Sequence, residues 1–249
     1  MDSLTISAAS GMRALMDTLN MSANNLANSS TNGFKSDKEF YGLYTSAEAQ
    51  AAADAEGYLA STNPVVQSQY TDFAQGMLVR TGNPLDLALN GKGFFAANGT
   101  SGPLYTRNGN FKLTPGGMLV THEGYPLRTI EKLPIQTQSN SPLNVTPEGE
   151  VQQDGVTLGT LEIVNFPDTK ALSKQGNNYF RNEDPKNQPV PIPETQVEQS
   201  KIEGSNVSTA GAAVRLVHVM RQFEMLQKAV TISGDMNKHA VEEVARVTS

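Results

Sequence analysis

Residues 204–249 read GSNVSTAGAAVRLVHVMRQFEMLQKAVTISGDMNKHAVEEVARVTS. Ala212, Leu216, Val219, Phe223, Leu226, Val230, Ser233, Asn237, Ala240, Val244 and Val247 recur at alternating steps of four and three. That period predicts a long helix with a narrow coiled-coil seam. Val217, Met220, Ile232 and Met236 flank the seam, a wider apolar face that suggests more than one neighbour. Asn206 or Ser208 is the expected N-cap. A helix of ~40 residues is about 60 Å long, whereas a compact domain of ~130 residues has a radius of gyration of about 14 Å. Such a helix cannot be covered by its own domain. It must pair with another helix of the chain, with other chains, or order only on meeting them.

The opposite end carries a matching pattern. Met1, Thr5, Ala8, Met12, Leu15, Leu19, Ser22 and Leu26 step four and three, and the stripe stops near Asn28 at the turn-forming SSTNG. All 13 prolines lie between Pro64 and Pro193, with most of the 21 glycines, so proline is absent from both ends and breakers are dense in the middle. Between the two, Leu85, Leu87 and Leu89 alternate as in a strand. Tyr105–Arg107, Asn108-Gly109 and Asn110–Leu113 read as a hairpin, as do Val151–Gln153, Asp154-Gly155 and Val156–Leu158. Leu161–Phe166 reads as a strand and 185–193 as extended linker or edge. Residues 36–63 begin a bridge with a capping-box pattern at Thr45–Glu48, predicting a short helix or a loop. The fold class is therefore α+β: terminal helices and a central all-β domain of hairpins and meanders. The predicted segments are 1–35, 36–75 (a flexible bridge), 76–203 (the β-domain) and 204–249.

Composition excludes several chemistries. The 249 residues contain no cysteine, which removes disulfides, thiolate metal sites and a Cys nucleophile. A net charge of −6 without a basic run is a poor match to nucleic acid. Tryptophan is absent, and no apolar run approaches the ~20 residues needed to cross a bilayer. The first residues, MDSLTISAASGMRALMD, lack the basic start and apolar core of a cleaved signal peptide. His122, His218 and His239 have no second ligand at metal-binding spacing, and no GxSxG, GxxxxGK[ST] or GxGxxG occurs. Gly91-Lys92-Gly93 is better read as a strand bend than a phosphate loop. Neither a catalytic constellation, a cofactor site nor a metal site is predicted. What remains is self-assembly or partner binding. An intramolecular helix pair in a monomer is the competing reading of the heptad stripes.

Four motifs narrow this. Ala23-Asn24-Asn25-Leu26-Ala27-Asn28, continuing to Thr31-Asn32-Gly33-Phe34-Lys35, is similar to the ANNLANxxTxGFK signature of the flagellar basal-body rod and hook proteins. Thr81-Gly82-Asn83-Pro84-Leu85-Asp86-Leu87-Ala88-Leu89-Asn90-Gly91-Lys92-Gly93-Phe94-Phe95 resembles their TGxPLDLAINGxGFF. Tyr105-Thr106-Arg107-Asn108-Gly109-Asn110-Phe111, with Gly117-Met118-Leu119-Val120-Thr121, resembles YTRNGxF…GxLVT. Glu203-Gly204-Ser205-Asn206-Val207 resembles ExSNV. The matched residues taken as most telling are Asn24, Asn25, Asn28, Gly33, Phe34, Pro84, Asp86, Asn108, Gly109 and Asn206. Arg221-Gln222-Phe223-Glu224-Met225 resembles the proximal rod branch, with the distal rod or a hook-basal-body homologue as the alternative.

The resemblance implies a structural subunit that is exported through the flagellar type III apparatus without signal cleavage. It implies helical polymerisation with itself and other rod proteins across the periplasm, transmitting torque from motor to hook. It places the terminal helices in a coiled-coil-like inner layer. The assembly interface expected on that basis comprises Met12, Leu15, Leu19 and Leu26 with Leu216, Val219, Phe223, Leu226 and Val230. No nucleic acid and no membrane insertion are expected. Outside the family, two rivals remain: a wall-cleaving hydrolase, and a peptidoglycan-binding module using Tyr70, Tyr105, Tyr125 and Tyr179.

Overall fold

The computed structural model describes residues 3–45, 62–137 and 141–247. It divides into two compact units: one of residues 1–27, 37–70 and 209–249, the other of 28–36 and 71–208.

The first unit holds helix α1 (Ser3–Ala27), strands β1 (Asp37–Thr45) and β2 (Thr62–Thr71, whose last residue falls in the second unit), and helix α2 (Thr209–Val247). The helices pack on each other, with Leu226 of α2 lying over Gly11 of α1. β1 and β2 form a two-stranded ribbon. Residues 37–45 are thus a strand, not the helix or loop expected of the bridge. Phe40, Tyr41, Leu43 and Tyr44 suit a pleated strand, and this local preference outweighs the polar residues around them. The capping-box segment that follows lies mostly outside the described residues.

The second unit is built from β3 (Leu78–Arg80), β4 (Leu87–Asn90), β5 (Phe94–Gly99), β6 (Gly102–Thr106), β7 (Phe111–Leu113), β8 (Leu119–Thr121), β9 (Asn144–Val145), β10 (Glu150–Gln153), β11 (Val156–Thr160), β12 (Ile163–Asn165), β13 (Leu172–Lys174), β14 (Tyr179–Asn182), β15 (Val190–Pro191), β16 (Gln196–Gln199) and β17 (Lys201–Glu203). Six strands make one sheet in the order β13-β14-β6-β5-β12-β15, and three make another in the order β11-β10-β9. β3–β17, β4–β16 and β7–β8 pair separately.

The period-2 geometry of β5 separates two cores. Phe95 faces a cluster with Leu87, Leu89, Phe111, Leu127, Ile135, Val151 and Val197. Phe94 and Ala96 face the other, with Tyr105, Val164, Phe166 and Phe180. Phe73 and Phe94 meet edge-on at 5.3 Å, as do Phe95 and Phe111 at 5.2 Å, the favoured aromatic geometry.

Some turn expectations hold. Asp154 (φ 52°) and Gly155 (φ 78°) join β10 to β11 with both central residues left-handed, as a two-residue hairpin turn requires. Pro191 blunts β15 at the sheet edge. The Asn108-Gly109 hairpin does not form. β6 pairs with β5 and β14, and β7 pairs with β8. Gly109 instead lets two backbones touch: its carbonyl accepts from Leu87 N at 2.9 Å. A Cβ built on it would sit 1.5 Å from the Leu87 carbonyl oxygen. Gly109→Ala must therefore push β4 away and is expected to cost about 3 kcal/mol, read as a lower urea midpoint at unchanged slope. The meander expectation is likewise partial, because β3–β17, β4–β16 and β5–β12 are long-range pairings.

Candidate functional site

Each unit has a feature built by the motifs. In the first unit, Ala212, Leu216, Val219, Phe223, Leu226, Val230 and Ser233 are the covered stripe along α2, with Val219 the most buried at 5% exposure. Among the described side chains of α1 the most buried are Ala14, Thr18, Met21 and Ser22. Met12, Leu15, Leu19 and Leu26 flank them and are half-buried. Small residues line the close approach: Gly11 faces Leu226, and the Thr18 hydroxyl turns back to Ala14 O at 2.9 Å. Thr18 also donates to Glu39 at 2.6 Å, and Arg215 pairs with the same carboxylate. Asn25 closes the end of α1 with a two-way clamp, donating to Asp37 O at 2.8 Å and accepting from Asp37 N at 3.0 Å. Asn24 is exposed.

α2 also has a second apolar face. Val214, Met225, Ile232 and Met236 are spaced by 11, 7 and 4 residues, whole turns of a 3.6-residue helix. They are 71%, 63%, 59% and 67% exposed and lie across the helix from the covered stripe. Val217 and Met220 extend the exposed apolar surface along one flank.

In the second unit, the signature turn and the ExSNV segment meet at a buried ion triad. Glu203 is fully buried and its carboxylate serves two cations: Lys35 Nζ at 2.6 Å on Oε1 and Arg107 at 3.1 Å on Oε2. Two further donors find carbonyls, while Arg107 Nε is buried without a hydrogen-bond partner among the described residues. Lys35 Nζ donates to Ala74 O at 2.7 Å, and Arg107 donates to Gly91 O at 2.7 Å. Arg107 also lies 5.6 Å from the Phe94 ring centre. Gly76 N donates to Glu203 Oε1, and Gly33 N to Glu203 O, both at 2.7 Å. Burial pushes the Lys35 ammonium and the Arg107 guanidinium down from their ordinary values, and Glu203 opposes the shift in each.

The motif residues build the frame around this triad. Gly33 (φ 68°) leaves no room for a Cβ, which would sit 2.4 Å from Asn108 N. Phe34 is buried, with Lys174 Nζ 4.7 Å from its ring centre. Asn28 accepts from Thr31 N at 3.1 Å through its backbone. Asn206 accepts from Ser36 N at 2.8 Å and donates to Asp72 O at 2.7 Å. That side chain is committed here, so it is not the N-cap of α2. Asp86 is a buried hub, accepting from Asn110 Nδ2 at 2.9 Å and Asn83 Nδ2 at 3.1 Å. Asn108 accepts from Asn110 N at 3.2 Å, and the Pro84 carbonyl accepts from Gln199 at 2.8 Å.

Lys35, Arg107 and Glu203 were legible as members of three separate motifs but not as partners. Nothing local marks a pairing across 168 and 96 residues. Tyr105 and Tyr179 do not line an open groove. Tyr105 and Tyr179 are 4% and 5% exposed; Tyr105 packs edge-on against Phe166, and Tyr179 donates to Glu123. Burial and that bond push the Tyr179 phenol well above its ordinary value. Among the described residues, no three His, Cys, Asp or Glu side chains gather to hold a metal, and no helix is long and apolar enough to cross a membrane.

Family models match the chain in three stretches. Residues 7–35 match the family described as flagella basal body rod protein, 88–153 the flagellar hook protein FlgE/F/G D1 domain, and 198–242 the flagellar basal body rod FlgEFG protein C-terminal. A flagellar basal-body rod protein FlgF of Caulobacter vibrioides is 30% identical over 252 residues, covering 99% of this chain and 100% of the relative. A FlgG of Agrobacterium fabrum is 32% identical over 92% of this chain and 94% of its own length. A FlgF of Rhizobium meliloti is 29% identical over 94% of this chain and 95% of its own length.

Proposed function

This chain belongs to the flagellar basal-body rod protein family, and we propose that it is a structural subunit of the proximal rod rather than an enzyme. It assembles with itself and with other rod proteins. The observation that carries the reading is the second apolar face of α2. A single chain buries one stripe of that helix and leaves Val214, Met225, Ile232 and Met236 in water, which suits a helix with a further neighbour in a wall.

The contact between subunits is head-to-tail, so that an operation that does not close on itself generates a helical tube. The two terminal helices supply a coiled-coil-like inner layer of that tube, and the tube transmits torque from motor to hook. Docking immobilises exposed side chains of α2, a cost that opposes premature polymerisation. Export through the flagellar type III apparatus without signal cleavage, and a periplasmic location, complete the proposal. The Arg221–Met225 stretch supports the proximal branch.

Imaging basal bodies from cells lacking this chain tests the reading. Assembly is expected to stop before the distal rod and to be restored by the native chain. A rod missing only its distal part would move the chain to the distal branch. Normal rods and full motility would overturn the proposal.

A further inference from the structure

We infer that residues 196–206 act as a closing strap: the β-rich unit stays open until this segment docks, and Glu203 makes the docking all-or-none. The inference rests on the geometry of that unit alone and stands apart from the rod reading.

The strap is the last stretch of the unit in chain order, and it holds every early part of it. β16 is the ladder partner of β4, and β17 of β3; among the described residues neither β4 nor β3 has another. Val197 enters the larger core. Ser200 N donates to Asp86 O at 2.8 Å, and Thr81 N donates to Ser200 O at 2.9 Å. Gln199 ties Pro84 O and Leu143 O, each at 2.8 Å. Gly204 N donates to Met77 O at 2.9 Å, and Asn206 holds Ser36 and Asp72. Residue 203 then gathers Gly33, Lys35, Gly76 and Arg107 onto one side chain and one carbonyl.

Electrostatics sets the order. Lys35 and Arg107 are buried cations that share the Glu203 carboxylate, so burying them before Glu203 arrives leaves both without their ion-pair partner in a poorly polarisable interior. The hairpins β5–β6, β10–β11 and β13–β14 close over short loops and need nothing from the strap. The strap must close loops of about a hundred residues or more, which is slow. A chain that is still being synthesised, or is threaded N-terminus first, therefore carries formed hairpins but an open unit. The two cations stay in water until residue 203 emerges.

Pulsed hydrogen exchange during refolding of the full chain reads this order. Amides of β5–β6 and β10–β11 are expected to be protected first. Gly33, Gly76, Thr81, Ser200 and Gly204 should follow together, at least tenfold more slowly. In Glu203→Gln the second phase should slow a further tenfold or vanish, with the first unchanged. The native chain decides the matter without any variant: Gly33 and Gly76 protected at the hairpin rate would overturn the strap. So would a Glu203→Gln chain with both phases unaltered, or one in which the hairpins also fail.

Discussion

Glu203→Ala is expected to destabilise the β-rich unit by about 3–5 kcal/mol, the usual cost of removing one partner from a buried ion pair. The reason is what stays behind. Lys35 and Arg107 would remain buried without their shared carboxylate, and Gly76 N would lose its acceptor. Lys35→Met should cost distinctly less, because Glu203 keeps Arg107 and Gly76 while the methionine fills much of the lysine's volume. Urea unfolding of the three chains checks both the size and the ranking. Equal losses for Glu203→Ala and Lys35→Met would show that Glu203 is one contact among many rather than the hub.

Aspartate on the helices should separate folding from assembly. Leu226→Asp places a carboxylate against Gly11 in the covered seam, and Phe223→Asp does so three residues earlier. Both are expected to loosen the helix pair and to abolish rod assembly and swimming. The β-rich unit should keep its native unfolding midpoint. Met225→Asp and Ile232→Asp act on the far face, where the native side chains are already 63% and 59% exposed. They should leave the isolated chain's helicity unchanged and its stability within about 0.5 kcal/mol of native and still abolish assembly. Swimming assays, basal-body images and thermal melts measure the set. Normal rods carrying Met225→Asp and Ile232→Asp together would refute a second neighbour for α2.

The α+β order and the covered stripe of α2 were legible because helical period and proline exclusion are properties of neighbouring residues. So was the Asp154-Gly155 turn, whose two left-handed residues are a local demand. Asn108-Gly109 misled for an instructive reason. The dipeptide that best marks a hairpin is used here for a close backbone approach to Leu87, a residue far away in sequence. On α1, apolar size pointed to Met12, Leu15, Leu19 and Leu26, but the deepest of the described side chains are Ala14, Thr18, Met21 and Ser22. Three of these, Ala14, Thr18 and Ser22, are small, which close helix approach favours and a hydrophobicity pattern underweights.

Alone, the sequence determined that helices stand at the two ends with strands between them, which face of α2 is covered, and the family to which four ordered motifs belong. Each of these depends on residues a few positions apart or on motifs read whole. Only the tertiary structure decided that Lys35, Arg107 and Glu203 are one buried cluster, and that β3 and β4 pair with β17 and β16. Charge pairing and strand pairing depend on distance in space, and only the folded backbone brings the charged groups of Lys35 and Arg107 to 2.6 and 3.1 Å from the Glu203 carboxylate.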